Sequence, residues 1–256
     1  MNYDDFYVVA REQGAERSDI PLWANRGENP AQLALIHERQ VELNPIEEVP
    51  GAFQLLNVLS QAECQRLIEI AESLSFNLDA AVSLPRSVRH NSSLTWVIDE
   101  QTESLIWERC APLLSQGIDA ISGQVPVGIN TRCRFYKYGE GDFFKPHIDG
   151  SWPGSKIINE QNIMNAYDDR WSQMTFLILL SDDFKGGNTQ FWVNAQDGSR
   201  PAKNGEPAKI INVRTPAGGV LCFPHGTHPL HCLHSSEAIT QGVKYIIRTD
   251  LLFPID

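Results

Sequence analysis

Hydrophobic and polar positions follow two different periods along this chain, and the change falls near its midpoint. In the first half, Leu67, Ile70, Ala71 and Leu74 recur at helical spacing. Ser60-Gln61-Ala62-Glu63, just ahead of them, has the form of a capping box and predicts a helix start at the serine. A second helix is predicted from near Asp99, with Ile106, Cys110, Leu113 and Leu114 on one face and Pro112 expected to kink or restart it. Short strands are predicted at residues 51–59 and 94–98. Residues 1–50 are polar, punctuated by proline and weakly patterned. They read as an arm packed on the domain, with one short helix at 31–39.

From Ile129 the period becomes two. Strands are predicted at 129–138, 143–149, 173–181, 189–193, 209–213, 219–224 and 242–253, divided by Gly, Asp, Asn and Pro. Such a series, mostly with tight connections, predicts an antiparallel sandwich or jelly roll behind two helices. The connection at 151–171 is long and holds Trp152, Pro153, Gly154 and Trp171, so a lid is expected there. In the closing strand Tyr245, Ile247, Leu251 and Phe253 share one face, and Lys244, Ile246, Arg248 and Asp250 the other. A wet outer face would give this alternation. So would an inward Lys244 neutralised by an anionic ligand or by Asp250, and the pattern leaves both open.

Composition narrows the classes. A chain of 256 residues supports one sizeable core, or a core plus a small appendage. A net charge of −11 without a basic run argues against a nucleic-acid partner. The five cysteines are scattered, odd in number and lack a C-x-x-C, which disfavours a disulfide framework and favours a reducing compartment. With no signal peptide and no apolar run of spanning length, the expectation is a cytoplasmic protein without a membrane partner.

The candidate chemistry centres on His147-Ile148-Asp149. On an extended strand these two side chains project the same way, with Cα atoms roughly 6.5–7 Å apart. They would supply two ligands of a metal that keeps open positions. Four of the seven histidines, His225, His228, His231 and His234, fall in one short stretch spaced by three. A strand would place successive members on opposite faces, so three of them read as local hydrogen-bonding residues. The residues C-terminal to His234 single it out from the other three.

Tyr138, Gly141, His147 and Asp149, and then His234 with Gly242 at +8 and Lys244 at +10, together resemble the iron(II)- and 2-oxoglutarate-dependent dioxygenases, in their prolyl 4-hydroxylase-like branch. The closing KYIIRTDLLF is similar to that family's final strand, and SDDFKGGNTQF to its Gly-Gly turn. The resemblance covers residues 128–254. Ser235-Ser236 departs from the Glu-Gly frequent after the distal histidine, which leaves the shape of that loop open.

The resemblance implies a mainly β fold, a double-stranded β-helix (jelly roll) preceded by two or three helices. The implied organisation is an arm at 1–50 and one dioxygenase domain at 51–256, with helical support at 60–118 and the catalytic core at 128–254. It implies Fe(II) held by His147, Asp149 and His234, and Lys244 on the far carboxylate of 2-oxoglutarate. Tyr138 and Thr175 would line that carboxylate pocket, and Arg248 would touch cosubstrate or substrate or form a structural ion pair. O2 is the second cosubstrate, ascorbate a candidate reductant, and succinate and CO2 the co-products. The expected substrate is a protein or peptide side chain, prolyl by analogy, with a free amino acid or small metabolite as alternative. A non-catalytic or zinc-binding cupin-like jelly roll would use the same His and Asp residues but has no need of Lys244.

Overall fold

Two facing sheets and two helices build the protein, and each strand's alternation is explained by what covers its two faces. The computed structural model describes residues 5–81, 84–118, 124–203 and 205–255. Across the larger sheet the strands run Phe6–Glu12, Ile20–Asn25, Ser92–Val97, Arg132–Tyr138, Lys244–Pro254, Arg170–Leu179, Val220–Pro224, Phe53–Leu56 and Glu42–Pro45, with Gly128–Ile129 also on the closing strand. The smaller sheet runs Ala208–Val213, Thr189–Asn194, His234–Ser236, Phe143–His147 and Arg89–His90. Sequence neighbours are mostly not sheet neighbours, as the jelly-roll expectation requires. Apart from the parallel pairing of Ile20–Asn25 with Ser92–Val97, the pairings among described strands are antiparallel.

The larger sheet is covered on both sides. Phe176, Ile178, Ile247, Leu251 and Phe253 join the core beneath the helices, whereas Leu177, Leu179 and Ile246 join the core between the sheets. The polar face of the closing strand is therefore not wet. Lys244, Arg248 and Asp250 are all buried, at 2%, 5% and 1% exposure, and they sit between the sheets.

Helix Gln61–Leu74 starts as predicted. The Ser60 backbone N–H donates to Glu63 Oε2 at 2.7 Å, and the Glu63 N–H donates to Ser60 Oγ at 3.3 Å. Cys64, Leu67, Ile70, Ala71 and Leu74 form its buried stripe. Helix Glu100–Ile118 continues through Pro112 without restarting. Pro112 and Glu108 are both exposed, so the position that lacks an N–H donor lies on the outer face of the helix.

Several sequence expectations are corrected. Residues 31–39 are turn and irregular chain, not a helix. Asn29 holds Leu33 from both sides, accepting from its N–H at 2.7 Å and donating to its carbonyl at 2.9 Å, and this local bonding competes with helical pairing. Residues 6–45 supply three strands to the large sheet, more than an arm laid on a surface. The predicted strand at 129–138 is split around Asn130, whose Oδ1 accepts from Arg132 N and Ser155 N.

The 151–171 connection contains a small hairpin, Lys156–Ile158 with Gln161–Ile163. Its base is tied down by Thr131 Oγ1 donating to Ser155 O at 2.6 Å and by Ser172 Oγ accepting from Trp152 N at 2.8 Å. No helix among the described residues is long and apolar enough to cross a membrane. All five cysteines are unpaired and buried.

Candidate functional site

His147 closes the strand Phe143–His147, and His234 opens the strand His234–Ser236. The two are direct cross-strand partners in antiparallel register, and their ring centroids lie 4.2 Å apart. Asp149 lies just past the strand end, a correction to the expected strand at 143–149. Its carbonyl accepts from Gly226 N at 3.0 Å, which fixes the backbone there. His147 Nε2 is 3.6 Å from Asp149 Oδ1, and His234 Nε2 is 3.7 Å from Asp149 Oδ2. One side-chain atom of each, of a type that can bind a metal, lies within 4.8 Å of the other two.

The chemistry of this donor set fits a metal. His147 Nδ1 donates to Lys145 O at 2.8 Å and His234 Nδ1 to Cys232 O at 3.0 Å, so in both rings the hydrogen bonding assigns the lone pair to Nε2, facing Asp149. Burial and the nearby His147 push His234 down to about 3, against the pull of Asp149, and the ring is neutral as a ligand must be. Phe144 stacks on His147 at 3.5 Å between centroids, and Phe223 packs against His234 at 4.6 Å. Burial alone would raise the Asp149 carboxyl, but Arg248, His234 and His147 more than offset this and hold it well below the usual carboxylate range.

Behind Asp149 runs a buried chain of hydrogen bonds. Thr175 Oγ1 donates to Asp149 Oδ2 at 2.7 Å, which leaves the threonine oxygen to accept from His225 Nδ1 at 2.9 Å. The other ring nitrogen of His225 then accepts from Ser172 Oγ at 3.0 Å. Thr175 thus lines the cavity that Lys244 also lines, with its hydroxyl bonded to the Asp149 carboxylate. His225, which spacing alone reads as a local hydrogen-bonding residue, is fully buried behind the candidate ligands, and burial lowers its pKa. No spacing rule marks it, because its partners lie on another strand.

Arg248 bridges two carboxylates. Its Nε is 3.5 Å from Asp149 Oδ2, and its Nη2 is 3.0 Å from Asp250 Oδ1. Asp250 is therefore the partner of Arg248 and not of Lys244, from which the strand rise separates it by roughly 20 Å. Lys244 lines the same cavity, donating from Nζ to Gly187 O at 2.7 Å and Ser236 Oγ at 3.3 Å. Gly187 has φ +66° and lies so close to Ile239 and Phe184 that a Cβ would collide with them. That tight turn is what brings its carbonyl to the ammonium. Burial and Arg214 lower Lys244 to about 7, with Glu237 opposing. Tyr138, its cross-strand partner, places its ring 5.6 Å from Nζ. The cavity encloses about 440 Å3, its solvent-open mouth included, with the candidate ligands, Tyr138, Thr175, Lys244 and Arg248 in its lining.

No family model and no curated protein sequence matches this chain. Its fold, however, is found among solved structures. A viral collagen prolyl hydroxylase from Paramecium bursaria Chlorella virus-1, solved with 2-oxoglutarate, superimposes with a TM-score of 0.51 at 13% identity, covering 82% of this chain and 100% of that one. A Pseudomonas putida prolyl-4-hydroxylase superimposes less closely, with a TM-score of 0.49 at 16% identity over 79% of this chain and 92% of that one. An oxidoreductase of the 2OG-Fe(II) oxygenase family from Burkholderia pseudomallei gives 0.47 at 12% identity over 79% of this chain and 85% of that one. At 13% identity the match to the viral enzyme speaks to architecture alone, and that architecture agrees with the two facing sheets described above. The chain has the jelly-roll fold of the viral prolyl hydroxylase.

Proposed function

We propose that the protein is an Fe(II)- and 2-oxoglutarate-dependent dioxygenase that hydroxylates an unactivated C–H bond. The observation that carries this reading is the meeting of two imidazoles and one carboxylate on one wall of a cavity that also holds a buried lysine. His147, Asp149 and His234 would hold the ferrous ion. Lys244, flanked by Tyr138, would pair with the far carboxylate of 2-oxoglutarate. Bound there, Fe(II) with 2-oxoglutarate and O2 would supply the oxidising power for hydroxylation, with succinate and CO2 as the co-products.

The chain's own residues bind and orient. Thr175 and Arg248 fix the rotation of the Asp149 carboxylate, and the carbonyls of Lys145 and Cys232 fix the two imidazoles. Phe144 and Phe223 wall the ligands off from water on one side. Lys244 arrives with no carboxylate partner within ion-pair distance among the described residues, so an anionic cosubstrate supplies the missing counter-charge. A cupin-like binding module needs no such ammonium.

By analogy the substrate is a protein side chain, a prolyl residue first. The second reading keeps the chemistry and takes a free amino acid or small metabolite. The test adds Fe(II) and 2-oxoglutarate under anaerobic conditions and looks for a weak visible charge-transfer band, followed by a screen for succinate release on Pro-containing peptides and free amino acids. A chain that binds the metal but gives neither band nor succinate is a binding module, and the enzyme reading fails.

A further inference from the structure

Beside the site stands a cation that no described residue neutralises. Arg134 is 8% exposed and points between the sheets, directly across from Arg248. It rests against the Trp152 ring, 4.6 Å from the guanidinium. Among the described residues no carboxylate reaches ion-pair distance of it and no acceptor takes a hydrogen bond from it. Arg248 already engages both nearby carboxylates, Asp149 and Asp250. Of the buried cations there, Arg248 takes both Asp149 and Asp250, Lys244 is held by Gly187 O and Ser236 Oγ, and Arg134 has neither kind of partner among the described residues, so positive charge is in excess. A bound divalent metal would add to that excess.

The guanidinium opens onto a narrow, shallow cleft shared with Arg89, Ser93, Thr95 and Tyr136. Tyr136 also lines the metal-site cavity, so the cleft and that cavity share a wall. Arg89 lies over the Tyr136 and Phe144 rings at 5.7 and 5.6 Å and brings a second positive charge to the same wall.

Resting on the hydroxylase reading, we infer that this cleft is a substrate subsite and that the substrate carries a carboxylate, which Arg134 binds. A planar guanidinium under an aromatic lid suits a flat two-oxygen anion, and a buried unpaired charge is costly until its counter-ion arrives. The carboxylate belongs to a free amino acid or to the C-terminus of a peptide. With its head on Arg134, the rest of the substrate lies along Tyr136 toward His147 and Asp149.

The test uses the full chain loaded with Ni(II) and 2-oxoglutarate, which does not turn over. Its probes are a panel of N-acetyl amino acids and C-terminal dipeptides, each as free acid and as amide, with affinities read by calorimetry. The free acid of the preferred probe should bind at least 10-fold more tightly than its amide. Arg134→Gln should erase that preference, Arg134→Lys should restore part of it, and the affinity for 2-oxoglutarate should stay within 2-fold. Equal binding of every acid and its amide by the unmodified protein overturns the inference, and this comparison does not depend on any variant folding. A loss of 2-oxoglutarate affinity in Arg134→Gln overturns it too, since the carboxylate then belongs to the cosubstrate. An Arg134-dependent acid preference without succinate release under Fe(II) keeps the anion subsite and rejects the hydroxylase reading. Succinate release with acid and amide used equally does the reverse.

Discussion

His147 and His234, far apart in sequence, face each other as a cross-strand pair, and the register of two short strands sets their 4.2 Å ring separation. The candidate metal centre is thus a property of sheet pairing. A one-residue slip would turn one imidazole to the opposite face of its sheet.

His147→Ala and His234→Ala should each abolish the anaerobic Fe(II)/2-oxoglutarate band and reduce succinate release by at least 100-fold, while the far-ultraviolet circular dichroism is unchanged. Chelation of the metal should do the same to the unmodified protein, with recovery on adding Fe(II). Either variant retaining the band would remove that residue from the ligand set.

Thr175→Val deletes the hydroxyl that donates to Asp149 and leaves His225 without its acceptor. Metal affinity should fall about 10- to 100-fold, as for other lost supports of a metal ligand. Thr175→Ser should recover most of it. Titration with Co(II), followed by its visible spectrum, reads this without turnover. An unchanged affinity in the valine variant would leave Thr175 with a packing role only.

Lys244→Ala should raise the 2-oxoglutarate requirement far more than the iron requirement. The unliganded ammonium titrates at about 7, pushed down chiefly by burial, and an anionic ligand favours its charged form. Affinity for 2-oxoglutarate should therefore be greatest below pH 7 and fall above it, by at most about 10-fold per pH unit. Binding at pH 8 should take up a proton. Calorimetry in buffers of different ionisation enthalpy detects that uptake, and its absence would show Lys244 already charged or uninvolved.

Glu63 links the first helix to the second and to the N-terminal segment. Its oxygens accept from Ser60 N, Ala34 N and Arg109. Burial alone would raise its carboxyl, but Arg109 and the two backbone donors win and lower it to about 2. The folded value lies below the ordinary 4.5, so this stabilisation is complete above that pH and is lost as pH falls toward 2. The loss is on the order of 3 kcal/mol. Glu63→Gln should destabilise at neutral pH by about 3–5 kcal/mol, because Arg109 keeps a buried charge without a counter-ion. It should also flatten the acid limb of urea denaturation measured between pH 5 and 3.

The sequence by itself determined what depends on near neighbours and on period. The capping box at Ser60 and Glu63, the helical stripe through Leu74, the alternation of the closing strand and the residues of the His-x-Asp pair are all fixed within a few positions of one another. It could not decide which of the two faces of Lys244–Pro254 was wet, because both are buried, one under helices and one under a second sheet. Nor could it reveal the partners of Arg248, the place of His225 behind Asp149, or the N-terminal strands at the sheet edges. Those arise from strand order and register, where side chains distant in the chain meet across 3–4 Å. At that range a buried charge is either matched, as at Arg248, or left waiting for a ligand, as at Arg134.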